Sequence, residues 1–242
     1  MTTVQAHYDQ HLGPIYEWMA GGIDAAIARG AAELANLGEV AESGGLAVDL
    51  GAGFGMHALP LARLGFRVLA VDTCEVLLDT LRVQRGALPI EIVHDELQSF
   101  ARYLSEDARL ILCMGDTLTH LPDEQSVESL VANIADVLGT DGHFITTFRD
   151  YTRELEETAR FIPVRGDAER IHTCFLEYAG ARVIVHDLLH ELDDGEWKLR
   201  VSAYPKLRIA PDWVAAVLRA HGFEVETGGT ASGMVQLVAR RH

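Results

Sequence analysis

Asp49-Leu50-Gly51-Ala52-Gly53-Phe54-Gly55 sets one acid and three glycines at alternate positions, directly behind the apolar run Leu46-Ala47-Val48. Glycine lets the chain turn sharply and lets a ligand lie close on the backbone. A helical pattern from Met56 to Leu64 follows, and its first turn points free N–H groups at such a ligand. The stretch therefore reads as a nucleotide-type binding turn at the carboxyl end of a first parallel strand. A dinucleotide fingerprint, Gly-x-Gly-x-x-Gly, fails here because its third glycine falls on Met56. A second acid, Asp72, stands about twenty residues beyond Gly51, the distance at which a carboxylate meets ribose hydroxyls in nucleotide folds. Asp72 also precedes a helix that it could cap. Asp116 and His120 follow the strand-like run 109–114, continuously apolar from Leu110, whose carboxyl end faces the reaction centre in an open α/β sheet. They are the candidate acid–base groups, His120 because an imidazole titrates in the range that base work needs.

The pattern acid-x-Gly-x-Gly-x-Gly, with Asp49 at the strand end, resembles motif I of the class I S-adenosylmethionine-dependent methyltransferases. Gly115-Asp116-Thr117-Leu118-Thr119-His120-Leu121-Pro122 resembles motif IV of their small-molecule members, and the Asn/Asp-Pro-Pro-aromatic form used on bases and amides is missing. The resemblance implies S-adenosyl-L-methionine as cofactor and S-adenosyl-L-homocysteine as product. Asp49, Gly51, Ala52 and Gly53 would meet the methionyl end, whose ammonium group suits a carboxylate. Asp72 and Thr73 would meet the ribose, Asp95 or Glu96 the adenine amino group, and Met114 and Gly115 the remaining wall. The implied reaction is in-line displacement of a methyl group onto nitrogen or oxygen of a small molecule. A neutral amine needs no base for that, whereas a hydroxyl gains from one, with Asp116 and His120 as candidates. Tyr8, Tyr16, Arg149, Tyr151 and Tyr204 are the candidate acceptor-binding residues. A nucleotide-dependent oxidoreductase and a cofactor-binding or regulatory module without transfer activity are the alternatives.

Composition narrows the partners. The 242 residues include 36 acids and 20 Lys and Arg, a formal net charge of −16. That surface repels phosphate backbones, which argues against nucleic acid. Cys74, Cys113 and Cys174 form neither a ligand pattern nor a disulfide framework. His186 and His190 lack the His-Glu-x-x-His spacing, so no metal is expected. The start of the chain has no signal-peptide pattern and no run is long enough to span a membrane. A cytoplasmic protein without a membrane partner is expected, as monomer or homodimer, since a β insertion offers edges for pairing.

Strand-like and helical stretches alternate five times up to Phe148, the signature of a doubly wound parallel sheet. Phe223–Thr227 and Met234–Ala239 close it as an antiparallel hairpin, giving a seven-stranded, mostly parallel Rossmann-like methyltransferase fold. Residues 1–242 form one domain with two elaborations. Residues 1–40 read as a helical lid broken at Gly21-Gly22. Residues 151–208 read as an antiparallel β insertion of three strands between strand five and the following helix, covering the substrate site.

Overall fold

The most apolar runs of the chain become its central strands. The computed structural model describes residues 3–41 and 44–242, so Met1 and Thr2 of the expected lid lie outside the described residues. Strands β1 (Gly45–Leu50), β2 (Phe66–Asp72), β3 (Ile90–His94), β4 (Ala108–Cys113) and β5 (Leu138–Phe148) are parallel, and β10 (Phe223–Gly229) and β11 (Val235–Arg241) add an antiparallel hairpin. The sheet order is β10-β11-β5-β4-β1-β2-β3. Strand order reverses between β1 and β4, which opens a crevice at their carboxyl ends, where open α/β sheets place ligands.

Both faces of the sheet are covered, which is why its inner strands read as unbroken apolar runs. On one face Val48, Leu50, Ile111 and Cys113 pack against α6 (Glu124–Val137) and α7 (Pro211–Ala220) through Val127, Leu130, Val131, Val214 and Leu218. On the other, Ala47, Leu110 and Leu112 pack with residues of α3 (Ile23–Ala35), α4 (Ala58–Arg63) and α5 (Glu75–Arg85), among them Ile27, Leu34, Leu59, Leu78 and Leu81. Asp123 caps α6 by accepting from Ser126 N–H at 2.8 Å.

The insertion is a separate antiparallel sheet of four strands: β6 (Phe161–Gly166), β7 (Arg170–Ala179), β8 (Arg182–Asp193) and β9 (Glu196–Leu207). Three were expected. β6 escapes the sequence pattern because it is short, carries Pro163 and is mostly exposed, so it shows no alternation. It is an edge strand, where proline is tolerated.

The N-terminal segment does break at Gly21-Gly22, both at positive φ, but it also breaks earlier. Short helices α1 (Val4–His7) and α2 (Tyr16–Met19) flank a π turn and a 3-10 turn at Gly13-Pro14. Two side chains fasten this segment to the insertion. His7 bonds Asp187 on β8 and Ser202 on β9 at 2.8 and 2.7 Å, and Trp18 Nε1 donates to Asp167, with Arg165 and Arg170 over its ring.

The docking of α3 makes a stability test. A Cβ on Gly30 would sit 2.0 Å from the Met56 carbonyl oxygen. Alanine is the better helix former by up to ~1 kcal/mol, yet that backbone oxygen cannot swing aside. We expect Gly30→Ala to lower stability by about 1–3 kcal/mol in urea unfolding; a raised midpoint would mean that α3 shifts freely on its neighbour.

Candidate active site

The glycine turn is held by β2. The Gly51 and Ala52 N–H groups donate to the Val71 carbonyl at 2.8 and 3.1 Å. Gly53 N–H donates to Asp72 Oδ2 at 2.7 Å, and Cys74 N–H to Asp72 Oδ1 at 2.8 Å. One carboxylate thus stitches the turn after β1 to the start of α5. Burial pushes the Asp72 carboxyl up from its usual range, and these amide bonds pull back against it. Gly51 has φ +76, and a Cβ there would meet Thr117 Cγ2 at 2.5 Å, so the loop after β4 lies directly on the turn.

Asp49 is buried at 1% exposure, and its Oδ2 has no hydrogen-bond partner. Burial raises its carboxyl to about 6; His57 opposes that and Asp72 adds to it. A buried carboxylate oxygen without a donor is costly, and it suits a ligand that brings a cation or an N–H. Gly53 and Gly115, at φ +52 and +69, border the same turn, and a Cβ on Gly115 would meet nothing within 4 Å. The buried acceptor and the open glycine backbone fit an aminoacyl-nucleoside ligand.

The remaining cofactor candidates divide. The Thr73 carbonyl accepts from His94 Nε2 at 2.9 Å, and buried Met114 offers its carbonyl to Thr117 Oγ1 at 2.8 Å. Asp95 is turned towards its own loop. Its carboxylate accepts from Tyr103 Oη at 2.6 Å, from Glu96 N–H at 2.8 Å and from Arg102, and the Tyr103 bond leads in holding its carboxyl below the usual range. Glu96 is exposed beside it.

Asp116 was read from the sequence as an acid–base group, and the structure gives it another task. It lies at the end of β4 in the left-handed region, φ +79, and is buried at 1% exposure. Oδ1 accepts from Arg149 N–H at 2.9 Å and Thr119 Oγ1 at 3.2 Å; Oδ2 accepts from Tyr151 Oη at 2.7 Å and from the Lys206 ammonium. Burial pushes its carboxyl up, but Lys206 and the Arg149 amide more than offset this and hold it below the usual range. A carboxylate so occupied is a poor proton acceptor. It instead ties β4, the chain after β5 and β9 into one knot.

His120, one turn further on, faces two tyrosines from distant parts of the chain, and a third lies behind one of them. Its ring lies 5.4 Å from Tyr8 and 5.7 Å from Tyr204, both edge-on, and Tyr8 lies 6.2 Å from Tyr16. His120 Nε2 is buried without a partner. Burial, aided by the Lys206 charge, lowers the imidazole to about 3, so it is neutral throughout the physiological range. Of the acceptor-binding candidates, Tyr8 and Tyr204 thus meet at His120, and Tyr16 packs on Tyr8. Tyr151 belongs to the Asp116 knot, and the half-exposed Arg149 guanidinium reaches that knot from outside at 3.8 Å. Lys206 went unread in the sequence, although alternation along β9 puts it on the same face as Tyr204, two residues away.

Residues 47–142 match the sequence profile of a family described as a methyltransferase domain. A glycine/sarcosine N-methyltransferase of Aphanothece halophytica is 30% identical over 112 residues, which are 46% of this chain and 42% of that protein. The chain thus spans about two fifths of the length of the curated relatives it matches, 42% and 39%. Among solved structures, the CcbJ methyltransferase from Streptomyces caelestis is similar with a TM-score of 0.77 at 20% identity, covering 97% of both chains. The sugar N-methyltransferase KedS8 from a Streptoalloteichus species has a TM-score of 0.75 at 16% identity, covering 100% of this chain and 97% of its own. At such identities the likeness is one of fold.

The protein keeps Asp49 at a cost that can be measured. Its folded value of about 6 lies above the ordinary 3.8, so between the two the folded state holds a proton that the unfolded chain has lost. The stability this proton confers is full below the ordinary value and lost as pH rises through about 6. At pH above this window the folded state carries an unpaired buried charge. We expect Asp49→Asn to raise the melting temperature of the ligand-free protein at neutral pH, by about 2 kcal/mol of stability. The gain should shrink as pH falls towards the ordinary carboxyl value. A variant less stable than wild type at neutral pH would show that the carboxylate has a partner.

Proposed function

We propose that the protein is an S-adenosylmethionine-dependent methyltransferase that methylates an amine nitrogen of a small molecule. The observation that carries this reading is a convergence. Asp49 and the glycine turn lie at the crevice of the sheet, and His120, Tyr8, Tyr16 and Tyr204 arrive from three other segments as an aromatic cluster beside the loop that covers that turn, the chamber in which we place the acceptor. The match to a methyltransferase domain supports methyl transfer over the oxidoreductase and regulatory alternatives.

Asp49, Gly51, Gly53 and Asp72 would hold the cofactor, and Ala52, Thr73, Asp95, Glu96, Met114 and Gly115 surround that half. When bound, S-adenosylmethionine supplies a methyl group already activated on a sulfonium. The chain's own task is to bring a lone pair to that methyl group and keep competing water away. His120 is neutral, and its unpaired Nε2 can accept one N–H of the acceptor, which fixes the orientation of the amine. The tyrosine phenols are held protonated by burial, with values well above the usual one for Tyr8 and Tyr204, so they add no negative charge to the chamber. An imidazole lowered to about 3 is a weak base, which favours an amine over a hydroxyl acceptor. Two relatives support nitrogen as the target: the curated one is a glycine/sarcosine N-methyltransferase and one structural neighbour a sugar N-methyltransferase. The reading keeps the enzyme in the cytoplasm; among the described residues no helix is long and apolar enough to cross a membrane.

Two measurements test the halves separately. In calorimetry, S-adenosylhomocysteine should bind the wild type and nicotinamide cofactors should not. Asp72→Ala should weaken that binding at least tenfold, about 1.4 kcal/mol; unchanged affinity would confine Asp72 to bracing the turn. His120→Ala should lower turnover of an amine acceptor at least tenfold while S-adenosylhomocysteine affinity stays within about threefold. If this variant folds but loses cofactor binding, His120 belongs to the cofactor half and the chamber is misplaced. Turnover should also rise with pH along the acceptor amine's own ionisation. A limb near the usual imidazole value that vanishes in His120→Ala would make the residue a base after all.

A further inference from the structure

Behind the chamber, on the inner face of the insertion, lies a second polar cluster that the methyl-transfer reading does not use. Asp187 on β8 stands directly opposite Cys174 on β7 and Ser202 on β9 in the strand register, with His172 two residues along β7. Asp187 Oδ1 accepts from Cys174 Sγ at 2.9 Å and pairs with His172 Nε2 at 2.7 Å, while Oδ2 pairs with His7 Nε2 at 2.8 Å. His7, His172 and Asp187 are each only 1% exposed. One donor atom from each of His172, Cys174 and Asp187 lies within 4.8 Å of the other two.

The hydrogen bonding of this cluster is incomplete. His172 Nδ1 is buried with no partner, and so is Nε2 of His11, whose ring lies 5.3 Å from that of His7. Buried polar atoms are nearly always paired, and an exception calls for an explanation. Here an imidazole with one bare nitrogen stands beside a thiol and a carboxylate that only protons hold together. Nitrogen, sulfur and oxygen donors together suit a borderline-soft d10 cation of tetrahedral preference.

We propose that His172, Cys174 and Asp187 form a binding site for a divalent cation of the zinc class. Three ligands from two paired strands leave a fourth position for water or a second ligand. The Cys174 thiol proton passes to solvent as the sulfur–metal bond forms, the His172 Nε2 proton moves to the bare Nδ1 so that Nε2 can ligate, and no electron transfer is involved. His7 keeps the other carboxylate oxygen, with Ser202 on its Nδ1, and so orients Asp187 as outer partners of metal ligands do. An ion here would reinforce the tie between the N-terminal segment and the insertion. His186 and His190, the pair that drew attention in the sequence, lie on the opposite face of β8 from Asp187 and take no part.

The test uses untagged full-length protein, Zn²⁺ and Co²⁺, and does not depend on turnover. Calorimetry should find one tight Zn²⁺ site, weakened at least tenfold in both Cys174→Ser and Asp187→Asn. Co²⁺ should produce a thiolate-to-metal charge-transfer band that Cys174→Ser removes. If either variant fails to fold, the wild type still decides: Zn²⁺ should protect Cys174 from alkylation, read by peptide mass spectrometry, while the rate at Cys74 stays unchanged. No stoichiometric Zn²⁺ binding, binding that the variants leave unchanged, or Cys174 alkylated at the same rate with and without Zn²⁺ would each overturn the proposal and leave the cluster a hydrogen-bonded brace.

Discussion

The ion pair between Asp116 and Lys206 holds the candidate site together. One residue ends the fourth strand of the sheet and the other lies on the last strand of the insertion, ninety positions later in the chain. A buried ion pair contributes little net stability unless its remaining donors and acceptors are satisfied, while removing one partner is costly. Here Tyr151, Thr119 and the Arg149 amide fill the carboxylate's other positions, and the Lys206 ammonium lies over the Tyr151 and Tyr204 rings. The pair therefore acts chiefly as a locator. It fixes the insertion over the crevice, sets the left-handed turn at Asp116, and through the short helical turn that follows delivers His120 to the tyrosines.

Two buried carboxylates at the ends of neighbouring strands have opposite surroundings. Asp116 is saturated with donors and held below the ordinary range, whereas Asp49 keeps an oxygen without a donor and is raised to about 6. Both were legible as acids at strand ends, and nothing in their sequence neighbourhoods separates them. The difference comes from what crosses over them: a lysine from the insertion in one case, an open glycine turn in the other.

The alternation of apolar runs with helical periods made the seven-stranded sheet legible, because central strands covered on both faces must be apolar along their whole length. The glycine turn was legible because few other residues can occupy it, and Asp72 because its offset from that turn is set by one helix and one strand. The tyrosines could be named as candidates, but their meeting at His120 could not be read, since Tyr8 and Tyr204 are joined by no periodic pattern. β6 was missed for want of a buried face. Lys206 was missed because a lysine in an exposed-looking strand normally reads as solvated, and only its distant partner reverses that. The cluster around Asp187 was hidden for the same reason: its members lie on four elements, three brought together by strand register and the fourth, α1, by its packing on them.

Tyr204 has a neighbour on each side. The His7 ring stacks on it at 4.0 Å, and the edges of His120 and Tyr8 approach it at 5.7 and 6.2 Å. Tyr204 is therefore the ring shared between the aromatic chamber and the Asp187 cluster, and beside it Tyr8 meets His7 directly, edge-on at 6.0 Å. Because interiors are close-packed, a change of volume on one side of such a ring is transmitted to the other. Substitutions at His7, Ser202 or Cys174, none of which needs to touch a substrate, can thus reshape the space in which one is held. A lineage could explore new acceptors from the far side of that ring while every residue that handles the methyl group stays unchanged.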